Sequence, residues 1–340
     1  MPKGEYLQYG GQAIIEGVMM RSPNFFSVAC RAPNGQIIQK TEALEKTWVG
    51  RQKWLKLPFL RGSLALLDAL GLGIKAMKFA SDVQLDSQYQ PEDANAASKD
   101  LGGPVQSSKK IQDAAIGATM IFSFAFALFI FVYLPNLVAE LSPKLLGPIS
   151  PTVINFIAGM IKLIFFLGYI YGIGKMKEIN EVFKYHGAEH KAINTLEANE
   201  ELNLEKCRAQ TRLHPRCGTS FAMIVLIITI FLMTFVPRYP ITGMPGNMFK
   251  DTGVRFLIDL AILPFIAGIS YELIRLAGKF RHQGFVNVMF KPGLWTQYLT
   301  TREPDAKQIE VALVALQAVV DAEEAKKANN GANLIDEPIA

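Results

Sequence analysis

Long apolar runs set the frame of this chain. A bilayer core takes about 20 mostly apolar residues in helix, and four stretches meet that length: 114–135, 151–173, 218–236 and 254–278. The first and third carry no charge, whereas Lys162 interrupts the second, and Asp259 and Glu272 lie in the fourth, where Pro264 predicts a kink. Outside these runs the pattern changes. Residues 11–42 read as a small antiparallel sheet, with Asn34-Gly35 between two β-prone runs as a hairpin signal. Residues 54–80 are amphipathic but broken by Pro58 and several glycines, which predicts a helix lying at the membrane interface or against the bundle. Residues 82–110 are polar and rich in Ser, Asp, Gln and Ala, and read as a flexible linker. From Pro304 to about Lys327, Ile309, Leu313, Leu316 and Val320 recur at helical spacing. They predict an amphipathic helix that packs on the N-terminal sheet or on a partner.

The fold class that follows is a predominantly α-helical polytopic membrane protein, with about four transmembrane helices and a small N-terminal antiparallel β element. Its expected divisions are a β-rich segment over 1–50, an interfacial helix over 51–81 and a linker over 82–113. A four-helix membrane domain over 114–278 carries a loop at 174–217, and a C-terminal helix and tail occupy 279–340. Composition agrees: half of the 340 residues are hydrophobic, 19% are charged and the mean hydropathy is +0.20. The net charge of +5 forms no aromatic-interleaved basic stripe, so nucleic acid is not an expected partner. The bilayer is the expected environment, with a membrane-associated substrate or a protein partner beside it. Cationic residues instead sort by loop. The 174–217 loop holds Lys175, Lys177, Lys184, Lys191, Lys206, Arg208, Arg212 and Arg216, against Lys144 in 136–150 and Arg238 and Lys250 in 237–253. That bias places the large loop and both termini in the cytoplasm, as in a multi-pass membrane protein. Cys30, Cys207 and Cys217 form no disulfide framework and suit a reducing compartment. The first residues lack the charged leader and apolar stretch of a cleaved signal peptide.

Chemistry concentrates in the large loop. The second apolar run reads as continuing in one helix to about residue 198. There Ile179, Val182, Phe183 and Ile193 share a stripe with His186 and His190. Two imidazoles four residues apart on one helical face can bind one ion. With Glu189 between them the string H-x-x-E-H is also the inverted zincin pattern, in which the histidines hold zinc and the glutamate is general base. A helix leaving a membrane also carries His and Glu simply because they tolerate that boundary. The stretch "TRLHPRCGTSFAM" then brings His214 and Cys217 in H-x-x-C spacing, with Pro215 excluding helix and Thr219 or Ser220 placed to cap the next one. Three of the chain's four histidines thus fall within one short region. Were His186, His190, His214 and Cys217 all to bind Zn²⁺, the tetrahedral site would be closed and structural, whereas a catalytic site keeps one position open. Glu197 is a capping or supporting residue in this reading, and His282 an interfacial one. Lys162 and Asp259 are candidates for an intramembrane ion pair, and Glu272 for a local pair with Arg275.

The stretches "YGGQAIIEGVMMRSP", "YHGAEHKAINTLE", "HPRCGTSF" and "PGLWTQYLTTREPDAKQIEVAL" together resemble the YqhQ-like family of bacterial membrane proteins. The resemblance runs from about Gly10 to Leu316. Such proteins form a domain of unknown function described as predicted metal-dependent enzymes, which implies His186, His190 and His214 as ligands. It also draws attention to Glu16, an acidic side chain able to fold back to a metal or to sit on a solvated first strand. Three functions compete. One is a metal-dependent hydrolase facing the cytoplasm, with Glu189 as catalytic base. Another is a non-catalytic assembly protein with a closed structural zinc, and the last is a small transporter component built on Lys162, Asp259 and Glu272. Three protein ligands favour chemistry and four favour structure; for transport the question is whether Asp259 faces Lys162 or lipid.

Overall fold

The computed structural model describes residues 9–44, 60–91, 109–241, 243–279 and 284–335. The expectations for 51–59, for most of the linker (92–108) and for His282 lie outside them. The chain opens with strands β1 (Gly10–Ile14), β2 (Gly17–Arg21), β3 (Phe25–Arg31) and β4 (Ile37–Ala43), antiparallel and in sequence order. The Asn34-Gly35 turn joins β3 to β4: Gly35 has φ +88°, and the Asn34 side chain accepts from the Gln36 N–H at 3.0 Å. Eleven α-helices follow among the described residues, and these labels serve below: α1 (Leu60–Leu85), α2 (Lys109–Leu128), α3 (Leu134–Ala139), α4 (Ser142–Leu146), α5 (Pro151–Ile173), α6 (Lys177–Glu197), α7 (Leu204–Ala209), α8 (Gly218–Phe235), α9 (Met248–Lys279), α10 (Gly284–Thr300) and α11 (Ala306–Ile335), with a 3₁₀ turn at Ser87–Tyr89. A π-helical turn at Phe129–Tyr133 links α2 to α3. Among the described residues four helical stretches are long and apolar enough to cross a membrane: Gly117–Leu146, Pro151–Ile173, Gly218–Phe235 and Met248–Leu273.

Alternation along β2 decides the packing of the sheet, because successive side chains leave a strand on opposite faces. Val18 and Met20 join a core with Tyr185, Ala188 and Ile193 of α6 and with Ile309, Leu316 and Val320 of α11. Met19, with Ile14, Phe26 and Val28, joins a second core against Leu72, Ala76, Ala80 and Val83 of α1. The sheet is therefore covered on both faces, and the expected amphipathic C-terminal helix is one of its covers. The interfacial helix runs on to Leu85, into the span read as linker, because Ala80 and Val83 are buried against the sheet.

The second apolar run does not continue as one helix to residue 198. It ends at Ile173, and α6 starts afresh at Lys177 after Gly174, Lys175 and Met176. A Cβ at Gly174 would lie 3.1 Å from both the Ile170 carbonyl and the Phe183 ring, so glycine lets α6 fold back closely at this joint. At the other end of the bundle Asp259 faces Lys162 and not lipid. It accepts from Lys162 and from Asn136 Nδ2 (2.9 Å), with Arg255 Nε 3.3 Å away. Beside this knot the buried Arg238 bonds Glu140 (2.9 Å), the Asn155 side chain (3.0 Å) and the Asn136 carbonyl (3.1 Å).

Candidate metal centre

A stripe of polar side chains on α6 builds the site by holding the irregular loop that follows α7. Backbone carbonyls outside regular structure need donors when buried, and α6 supplies them in order. Lys191 Nζ donates to the Arg208 and Gln210 carbonyls at 2.9 and 2.7 Å, and Asn194 Nδ2 to those of Thr211 and Leu213 at 2.7 and 3.2 Å. His190 Nδ1 lies 2.6 Å from the Arg212 carbonyl. On the opposite flank the chain leaving α10 docks on α6, where the Arg302 N–H donates to the Phe183 carbonyl at 2.8 Å and the Thr300 carbonyl lies 2.9 Å from His186 Nδ1.

These two carbonyls fix the chemistry of the histidines. A carbonyl can only accept, so each Nδ1 carries a proton and Nε2 is the ring nitrogen turned to the interior. His186 Nε2 lies 3.0 Å from Cys217 Sγ. His190, 1% exposed, has its Nε2 buried with no hydrogen-bond partner among the described residues. The ligand atoms of His186, His190 and Cys217 all lie within 4.8 Å of one another. A partnerless buried nitrogen is costly unless something fills the place it faces. Two imidazole nitrogens and a sulfur form a donor set suited to zinc, and imidazoles anchored through Nδ1 to carbonyls have the outer support that metal-ligating histidines use. The residues present fit such an ion.

Cys217 is itself the N-cap of α8, its sulfur 3.5 Å from the Thr219 N–H, so neither Thr219 nor Ser220 caps that helix as expected from sequence. Ser220 is instead buried and accepts from Gln297 at 2.7 Å. The same Gln297 holds the loop, accepting from the His214 N–H (2.8 Å) and donating to the His214 carbonyl (2.7 Å). His214 stands beside the cluster, its ring 5.7 Å from that of His190, but its Nε2 is 3.2 Å from the Glu197 carboxylate. Burial holds the His214 pKa below the ordinary histidine range, so the neutral ring donates to Glu197. Burial alone would raise the Glu197 carboxyl, but the bonds from His214 and Arg216 outweigh it and leave its pKa lowered.

Glu189 is 4% exposed and adjoins both histidines, its Oε2 3.9 Å from His186 Nε2 and 3.8 Å from His190 Nε2. Burial pushes its pKa up to about 7, against the pull of His186 and of a hydrogen bond from the Gly11 backbone. Gly11 is what the "GGQ" stretch contributes: a Cβ there would meet Glu189 Cγ at 2.7 Å. Glu16 lies elsewhere. It sits at φ +48° in the β1–β2 turn and accepts from the Tyr185 hydroxyl at 3.2 Å. A cavity of about 510 Å³ opens beside the cluster, lined by Tyr9 and Gly11 on the sheet side, by His186, Glu189 and Cys217, and by apolar residues of α5 and α8. Sequence reasoning missed Gly11, Thr300 and Gln297, because two of them act through backbone atoms and the third holds a loop from 83 residues away.

No solved structure matches the chain. The uncharacterized protein YqhQ of Bacillus subtilis (strain 168) is 33% identical over 322 residues, covering 94% of this chain and 95% of that protein. The family model described as a protein of unknown function, DUF1385, matches residues 57–322. By the extent of both matches the chain belongs to this YqhQ-like family of unknown function.

Proposed function

We propose that the protein is a metal-dependent hydrolase of the bacterial inner membrane, in which His186, His190 and Cys217 hold a zinc-like ion and Glu189 moves the proton. The observation that carries this reading is the bare, buried Nε2 of His190, aimed at the same space as His186 Nε2 and Cys217 Sγ. When bound, the ion would act as a Lewis acid on a carbonyl or phosphoryl oxygen. The chain's own residues supply the rest. The Thr300 and Arg212 carbonyls hold the imidazoles in one tautomer and orientation. The Gly11 backbone steadies Glu189, whose raised pKa lets it take a proton from water in the cavity and return it to a leaving group near neutral pH. His214 is engaged by Glu197, which favours three protein ligands and an open position over a closed structural site. The cationic residues of 174–217 favour the cytoplasmic side for this end of the bundle and for both termini.

Metal analysis of the detergent-purified protein tests the reading. The expected result is about one zinc per chain in wild type, lost in His190→Ala and kept in His214→Ala and Glu189→Gln. Loss of metal in His214→Ala would make the site closed and structural, and wild type free of metal after purification without chelators would end the proposal. A second reading rests on the 3.0 Å approach of Cys217 Sγ to His186 Nε2, which is the geometry of a thiol nucleophile with an oriented base. It leaves His190 Nε2 without a role. A metal-free wild type that still forms a covalent adduct with an activated ester at Cys217 would favour it.

A further inference from the structure

The cavity beside the cluster has a lining that the cluster does not account for. Besides the polar groups it includes Phe166, Ile170 and Ile173 of α5 and Ala222 of α8. The three α5 residues are spaced four and three apart, so they share one face. Phe166 lies seven residues from Ile173, about 10 Å inside the end of the helix. This part of the cavity therefore belongs to the membrane-spanning segments themselves.

The packing of α5 on α8 explains why space opens here. Deeper in the bundle the two antiparallel helices touch closely. A Cβ at Gly159 would lie 2.9 Å from the Ile230 side chain, and Asn155 Nδ2 reaches the Thr234 and Val236 carbonyls at 3.4 and 2.9 Å. Carrying that register toward the cluster sets Phe166 one residue off Ala222 and Ile170 level with Thr219, all four of which line the cavity. The slot is thus closed by close packing at its deep end and widened beside the small Ala222. At its shallow end it meets His186, Glu189 and Cys217. Its size falls in the range of small-molecule sites.

The geometry points to a lipid substrate: the slot takes the linear hydrocarbon chain of a membrane amphiphile, and the polar group at the end of that chain meets the cluster. This inference rests on the reading of the cluster as a reactive centre and adds the class of molecule that reaches it. Fatty acyl and isoprenoid chains share this chemistry.

The test is photolabelling of the full-length protein in nanodiscs with palmitic acid carrying a diazirine at its methyl end, with adducts mapped by tandem mass spectrometry. Adducts are expected on Phe166, Ile170 and Ala222. Ala222→Trp should lower them about tenfold by filling the slot, with labelling of the exposed Ile164 unchanged. Competition by unlabelled palmitate and by a polyprenyl alcohol separates the acyl from the isoprenoid source. Labelling spread over exposed residues such as Ile164 and Phe231 with no enrichment in the slot, or slot labelling indifferent to Ala222→Trp, would overturn the proposal. Bound zinc measured on the same samples keeps the two readings apart. Slot labelling without zinc removes the metal chemistry alone, and zinc without slot labelling removes the lipid alone.

Discussion

Gly187 stands between the two histidines of the cluster because a larger residue there would strike the Arg302 carbonyl. That close approach lets the chain leaving α10 run against α6, which in turn brings the Thr300 carbonyl to His186 Nδ1. Gly187→Ala should therefore weaken metal binding by about 10–100-fold through the lost orientation of His186. Competition with a chromogenic chelator reads this, and unchanged affinity would mean that the carbonyl does not orient the ring. The cysteines offer a separate check. Burial pushes the thiols of Cys30 and Cys207 up to about 11, whereas Cys217 lines the cavity. Maleimide should modify Cys217 first in the folded protein, and added zinc should protect it. Equal reaction at Cys207, or no protection by zinc, would count against the assignment. The spacing of His186, Glu189, His190 and Cys217 was legible in the sequence, since three of them share one helix. The bonds of His214 to Gln297 and the roles of Gly11 and Gly187 were not, because each depends on a contact with a distant part of the chain.

At the level of elements, long apolar runs revealed the four spans, the Asn34-Gly35 dipeptide the hairpin, and helical periodicity α11. Periodicity concealed the joint at Gly174, because the apolar stripe of α5 carries over into α6 while the chain bends between them. Nor could it reveal that Asp259 gathers Lys162, Asn136 and Arg255 at once, which ties α3, α5 and α9 together. One carboxylate that pairs with two cations and accepts from an amide makes a latch within the bundle. Asp259→Asn leaves two buried cations without their counter-charge and should cost about 3–5 kcal/mol. Thermal unfolding of the purified protein in detergent measures that cost. A variant as stable as wild type would show that the carboxylate is not structural, and would reopen a transport role for the pair.

Across the whole molecule, the sheet is a wall shared by two helical layers, and the site lies where that wall meets the ends of the spans. Leu316 of α11 is fully buried against it. Leu316→Ala should destabilise the assembly by about 2–5 kcal/mol through the cavity left behind. Hydrogen exchange would show whether β2 and α6 loosen together, and loosening confined to α11 would contradict a common core. The earliest and latest described segments also clasp each other. Glu323 accepts from the Asn24 backbone and side chain at 2.7 and 2.9 Å, and Lys326 donates to the same asparagine at 2.8 Å. During translation the strands emerge first, yet the helix that seals them comes last. The four spans must enter the bilayer while Val18, Met20 and Tyr185 still wait, apolar and bare, for their cover. A nascent chain therefore carries an uncovered sheet until α11 leaves the ribosome, and the membrane receives the anchor before the core can close.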